Sequence, residues 1–153
     1  MSDQELALKL WIVLSRARNA VADHVHAHTE ACGLTTGEFA VMEALYHKGP
    51  LLLGDIRRKI LVSSGGVTYL IDKLEARGLV ERRACPTDRR ARYAALTEAG
   101  EALMDRIFPE HAGRIAAALG GLADEEKARA IELLRTVGLY AEALAAGMRV
   151  GAE

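Results

Sequence analysis

A mainly α fold with one small β-hairpin is what this 153-residue sequence predicts. Three observations carry that prediction. Apolar residues recur at i, i+3, i+4 and i+7 along most of the chain, as amphipathic helices require. One stretch, 79–96, instead has strand character on either side of a Pro/Asp turn. Breaks at Gly49-Pro50, Gly78 and Gly120-Gly121 punctuate the helices.

From about Gln4 to Ala31 the chain forms one long helix, with Leu10, Leu14, Val21 and Val25 at helical spacing. Thr35 and Glu38 have the spacing of a capping box, each side chain satisfying the other's orphan backbone N–H. The helix they open turns Phe39, Met42, Leu45 and Tyr46 to a core. After Gly49-Pro50, Leu51–Ile60 is expected as the first helix of a helix-turn-helix, burying Leu52, Ile56 and Ile60. In the C-terminal third, Thr97 caps a helix that runs toward Leu119, with a kink expected at Pro109 because proline removes a helical hydrogen bond. Asp124 caps a last helix whose Ile131, Leu134, Val137 and Leu144 lie near one stripe.

The segment Ser63 to Gly100 says most about function. Ser63 or Ser64 can cap a helix whose Val67, Leu70, Ile71 and Leu74 form one apolar face. Gly78 stands where helices commonly end in a left-handed residue. The opposite face carries Ser64, Gly65, Thr68, Tyr69, Asp72 and Lys73, polar enough to exclude full burial. Small and hydroxylated residues at its N-terminal end permit close approach to a polyanion, and free N–H groups there favour phosphate. Next come two strands, Leu79–Arg83 and Ala91–Leu96, around the turn Cys85–Arg90. Arg82, Arg83, Arg89, Arg90 and Arg92 fall in eleven positions opposed only by Asp88, which is expected to orient a neighbouring arginine. An arginine-loaded hairpin beside a recognition helix points to phosphate and minor-groove contact, with Arg90 at the tip. The pattern is a winged helix-turn-helix flanked by N- and C-terminal helices. Expected DNA contacts are Ser63, Ser64, Gly66, Thr68, Tyr69 and Lys73 in the major groove, with Arg89, Arg90 and Arg92 on backbone and minor groove.

These motifs resemble the MarR family of bacterial transcriptional regulators. The resemblance rests on Leu34-Thr35-Thr36-Gly37-Glu38-Phe39, Ser63-Ser64-Gly65-Gly66-Val67-Thr68 and Leu74-Glu75-Ala76-Arg77-Gly78-Leu79-Val80-Glu81-Arg82. It continues through Asp88-x-Arg90 and Leu96-Thr97-x-x-Gly100. It implies a single domain over 1–153, with a DNA-binding region at 35–97 and dimerisation helices at 1–31 and 98–147. It also implies a homodimer on a palindromic operator of double-stranded DNA, read as a repressor, and released by a small ligand or an oxidant.

Charge fits that reading. The net charge is −1, yet residues 51–97 hold ten Lys/Arg against five Asp/Glu, while the remainder holds ten against sixteen. Local field governs DNA affinity more than the total does. Length and an apolar half suit one cooperative domain. No stretch is long and apolar enough for a membrane span, no secretory signal pattern opens the chain, and two cysteines make no disulfide framework. A cytoplasmic protein without a cofactor is expected.

Members of the resembled family often bind aromatic or phenolic effectors in a cleft between dimer helices and head. Trp11, Arg16, Arg18, His24, His28, Tyr46 and His47 are the candidates to line it, with Trp11, Arg18, Tyr46 and His47 foremost. Ile107-Phe108-Pro109-Glu110-His111, Tyr46-His47-Lys48-Gly49-Pro50 and Cys85 also resemble members that answer quinones or related electrophiles. Cys85, between Arg83 and Arg89, is a redox candidate because positive charge lowers a thiol pKa. Cys32 is expected to pack quietly. His24 and His28 share a helix face at i, i+4, but no further ligand completes a metal site, so none is expected. Phosphate-binding loops and nucleophile elbows are missing, which excludes the common enzyme classes. The alternative is a winged-helix module that binds protein, against which the arginine wing argues.

Overall fold

The structure, a computed structural model, describes residues 1–60 and 66–150, with the side chains of 148–150 outside that description. The elements are α1 (Asp3–Ala31), α2 (Thr36–Lys48), β1 (Leu51–Leu52), α3 (Leu53–Lys59), α4 (Gly66–Ala76), β2 (Val80–Ala84), β3 (Arg92–Leu96), α5 (Glu98–Ala118) and α6 (Asp124–Val150). Two compact units divide the chain, Met1–Ala117 and Ala118–Glu153.

Caps set the helix starts of the first unit. Ser2 and Glu5 form a capping box at α1, and Thr35 and Glu38 form the expected one at α2, with Thr35 N–H donating to Glu38 Oε2 at 2.8 Å. The apolar face of α4 is buried as its periodicity predicts, Val67, Leu70, Ile71 and Leu74 packing with Phe39, Met42, Ile56 and Met104. Each such side chain contributes roughly 1.5–3 kcal/mol on leaving water.

Leu51–Ile60 is not one helix. Leu51 and Leu52 form β1, which pairs antiparallel with β3 (Leu51 with Ala94, Leu52 with Tyr93), and α3 occupies only Leu53–Lys59. Leu52 is accordingly half-buried, while Ile56 and Ile60 are buried. The sheet order is β1-β3-β2, with Arg82 opposite Ala94 and Ala84 opposite Arg92.

A corner joins α4, the sheet and α5. Gly78 adopts φ +69° and its N–H donates to Glu75 O, while Leu79 N–H donates to Leu74 O. This is the glycine-terminated helix stop that the sequence implies. Thr97 bonds in three directions: its N–H donates to Leu79 O at 3.1 Å, its hydroxyl donates to Gly78 O at 2.6 Å, and the hydroxyl accepts from Gly100 N–H at 3.1 Å. A Cβ on Gly100 would lie 2.1 Å from Leu79 O, so only glycine lets α5 sit this close. Helix α5 continues unbroken through Pro109.

In the second unit, α6 begins at Asp124, and the cap is not the expected one. Ala123 N–H donates to Glu126 Oε2 at 2.8 Å, and Asp124, already inside the helix, accepts from Lys127 Nζ at 3.0 Å. Ile131, Leu134, Val137 and Leu144 are exposed.

Candidate nucleic-acid interface

Burying one face of α4 obliges the other to face out. Thr68, Tyr69, Asp72 and Lys73 are exposed, Tyr69 at 60%. Lys73 Nζ lies 5.4 Å from the Tyr69 ring centroid, a cation–π pairing that stiffens two long side chains. Gly66 opens the helix. Ser63 and Ser64 lie outside the described residues.

The wing is the hairpin of β2 and β3. Its turn is closed by Ala91 N–H donating to Asp88 O at 3.2 Å, and Asp88 Oδ1 accepts from Arg90 N–H at 2.9 Å. Asp88 therefore orients Arg90 through its backbone. Arg89, Arg90 and Arg92 are exposed, the Arg92 guanidinium turning back to Arg89 O and Ala91 O at 3.3 Å each. Two members of the arginine run are engaged within the protein instead. Arg83 Nε donates to Glu81 Oε1 at 2.8 Å. Arg82, its side chain 23% exposed, binds Asp72 and Glu75 of α4. The hydrogen bond to Asp72, with Glu75 beside it, raises the already high Arg82 pKa.

One further basic residue lies near the wing, without a motif to mark it in the sequence. Arg58 of α3 shares a hollow of about 380 Å³ with Arg90 and Arg92. Its only sequence signal is the basic balance of 51–97, because periodicity directs attention to the buried side of α3.

The cysteines and histidines divide as follows. The half-buried Cys85 thiol lies 3.3 Å from Thr87 Oγ1, and its pKa is lowered first by the Thr87 hydroxyl and then by the Thr87 backbone. Hydrogen bonding thus does what neighbouring positive charge was expected to do. Cys32 Sγ lies 3.7 Å from His28 Nε2, against the core. His24 is exposed whereas His28 is 1% exposed with its ring packed in the core, and no metal-binding cluster occurs among the described residues. His28 instead adjoins His111, ring centroids 5.5 Å apart.

The effector candidates separate too. A cleft of about 620 Å³ has Gly37, Ala40, Ala44 and Ile60 as apolar wall and Arg18, Lys48 and Lys59 as cationic rim, with the His47 imidazole beside them and Glu43 alone carrying negative charge. Arg18 and His47 meet there. Trp11 and Tyr46 contribute no wall: Trp11 is 66% exposed on α1, and the Tyr46 hydroxyl donates to Asp105 at 2.7 Å beside Phe108. The bond to Asp105 raises the Tyr46 pKa. Arg16 is likewise absent from that cleft.

Comparison with known proteins agrees with this geometry. The model of the MarR family matches residues 33–91. The HTH-type transcriptional regulator MhqR of Bacillus subtilis (strain 168) is 48% identical over 138 residues, covering 90% of this chain and 95% of MhqR. Among solved structures, Sco3205 of Streptomyces coelicolor, a MarR family regulator in complex with DNA, superposes with a TM-score of 0.79 at 21% identity, covering 90% of this chain and 88% of that one. BpsR of Bordetella bronchiseptica, whose DNA binding is regulated by 6-hydroxynicotinic acid, superposes with a TM-score of 0.74 at 28% identity, covering 82% and 90%.

Proposed function

Because the chain belongs to the MarR family of transcriptional regulators, we propose that it binds a palindromic operator as a homodimer and releases it when a small aromatic, phenolic or electrophilic compound is met. One observation carries the DNA-binding part: the exposed Thr68, Tyr69 and Lys73 of α4 lie beside a wing whose Arg89, Arg90 and Arg92 are also exposed. A helix of this width enters the major groove, where hydroxyl, phenol and ammonium groups meet base edges and phosphates. The arginines then grip the flanking backbone and minor groove. Ser63 and Ser64 belong to the same proposed contact set.

Dimerisation is supported by the apolar residues left exposed, Leu6, Leu10, Trp11 and Val13 on α1 and Leu134, Val137 and Leu144 on α6. Exposed aliphatic residues in such number call for a partner surface. A two-fold dimer would place half-sites roughly 10 base pairs apart. For the effector, the apolar wall and cationic rim of the cleft suit a flat ring with a phenolate or carboxylate. The regulation of BpsR by 6-hydroxynicotinic acid supports that class, and Arg18 and His47 are the proposed contacts.

The test is selection from a randomised duplex pool, followed by titration of enriched sites across salt and with phenols and quinones. A palindromic winner with a steep salt dependence, bound by a dimer and released by one compound class, is the expected result. Absence of any enriched site would transfer the head to a protein-binding role.

A further inference from the structure

The face of α4 that is proposed to meet DNA carries two carboxylates at its trailing end. Asp72 and Glu75 stand at i, i+3, so they are neighbours on the helix surface, and both are exposed. Carboxylates in that place oppose a polyanion. Each is met by the same side chain: Arg82 Nη2 donates to Asp72 Oδ1 at 2.5 Å, Arg82 Nη1 donates to Glu75 Oε2, and the Arg82 backbone N–H lies 3.4 Å from Glu75 Oε1. Arg82 is opposite Ala94 in the hairpin, so the grip ties the sheet itself to α4. A forked guanidinium can bond two carboxylates at once, which a lysine ammonium does less well.

We propose that Arg82 is a positioning residue for DNA recognition: it holds the wing to α4 and screens Asp72 and Glu75 from the phosphates, without touching DNA itself. This rests on the reading that the exposed face of α4 meets DNA. It separates Arg82 from Arg89 and Arg90, whose side chains are exposed on the same hairpin.

The experiment compares the wild type, Arg82→Gln, and a triple variant that adds Asp72→Asn and Glu75→Gln. Each is titrated across salt against the duplex most enriched from a randomised pool and against a random-sequence duplex of equal length. Arg82→Gln is expected to bind both duplexes about five- to tenfold more weakly at low salt, a loss that shrinks as salt rises because it comes from uncovered charge. The triple variant is expected to return to wild-type affinity or to exceed it.

A salt slope flatter by about one unit and not restored in the triple variant would make Arg82 a phosphate contact and overturn the proposal. Unchanged affinity in Arg82→Gln, or an unrestored loss at unchanged slope, would overturn the screening role as well. If Arg82→Gln alone does not fold, Glu75→Gln with Arg82 in place decides: equal or tighter binding supports screening, weaker binding refutes it. Equal affinity of the wild type for the two duplexes would remove the operator reading while leaving the Arg82 comparison intact on random sequence.

Discussion

Arg90 shows how a short loop aims a side chain through its backbone. Its N–H is held by Asp88, which fixes the turn, and the guanidinium is left exposed. If it sits on phosphate, Arg90→Ala weakens binding to every sequence alike and flattens the salt slope by about one unit. Titration of one duplex at several salt concentrations measures this, and an unchanged slope removes Arg90 from the contact set. Arg82 and Arg83 show the opposite case. In sequence Arg82 is indistinguishable from Arg89 and Arg90, because its carboxylate partners are chosen by the fold, whereas the partner of Arg83, Glu81, stands two residues away on the same strand. Asp72 and Glu75 lie ten and seven residues before Arg82, and only the folding of β2 back along α4 brings them within reach. The thiol of Cys85 was legible as perturbed for a reason that the turn replaces: Thr87, two residues on, does the work.

At the scale of elements, local signals were sound where a local interaction decides. The capping box of Thr35 and Glu38, the left-handed Gly78 and the buried stripe of α4 all depend on residues within one or two turns. Leu51 and Leu52 depart from the helix that their sequence predicts because their strand exists only through pairing with Ala94 and Tyr93, some forty residues on. No window of periodicity contains that information. Of the residues expected to line an effector cleft, Arg18 and His47 share one hollow, whereas Tyr46 is bonded to Asp105, a partner fifty-nine residues on that no local window contains. The corner at Thr97 and Gly100 is the element-scale feature with the sharpest consequence. Gly100→Ala drives a methyl into the Leu79 carbonyl, a backbone atom held in place by Thr97. A cost of about 3 kcal/mol is expected, seen as a fall of roughly 10 °C in melting temperature. A variant that melts with the wild type would show that the corner gives way.

At the scale of the molecule, buried polar groups join the first unit's helices. His28 of α1 and His111 of α5 are both buried and pack with Phe39 of α2. His28 Nδ1 faces Glu110 at 3.8 Å and His111 Nε2 faces Glu43 at 4.0 Å, with Arg114 bound to Glu110 and Cys32 beside His28. Burial lowers the His111 pKa below its ordinary 6.5, Glu43 opposing and His28 reinforcing the shift. The unfolded chain therefore takes up a proton at His111 before the folded one does. Its contribution to stability is complete above pH 6.5 and is lost as the pH falls below that value toward the folded pKa. The melting temperature of the wild type is expected to drop between about pH 6.5 and 5.5 more than that of His111→Gln. Parallel profiles for the two proteins would assign the acid sensitivity elsewhere.

The three bonds of Thr97 carry a mechanical meaning as well. They fasten the first turn of α5 to the same corner that ends α4 and begins β2. A joint fastened at three points leaves no free hinge between the first turn of α5 and the corner of α4 and β2. Under the proposed two-fold dimer on a palindrome, a tilt of that first turn would pass to α4 and alter the span between the two helices that are proposed to read the half-sites.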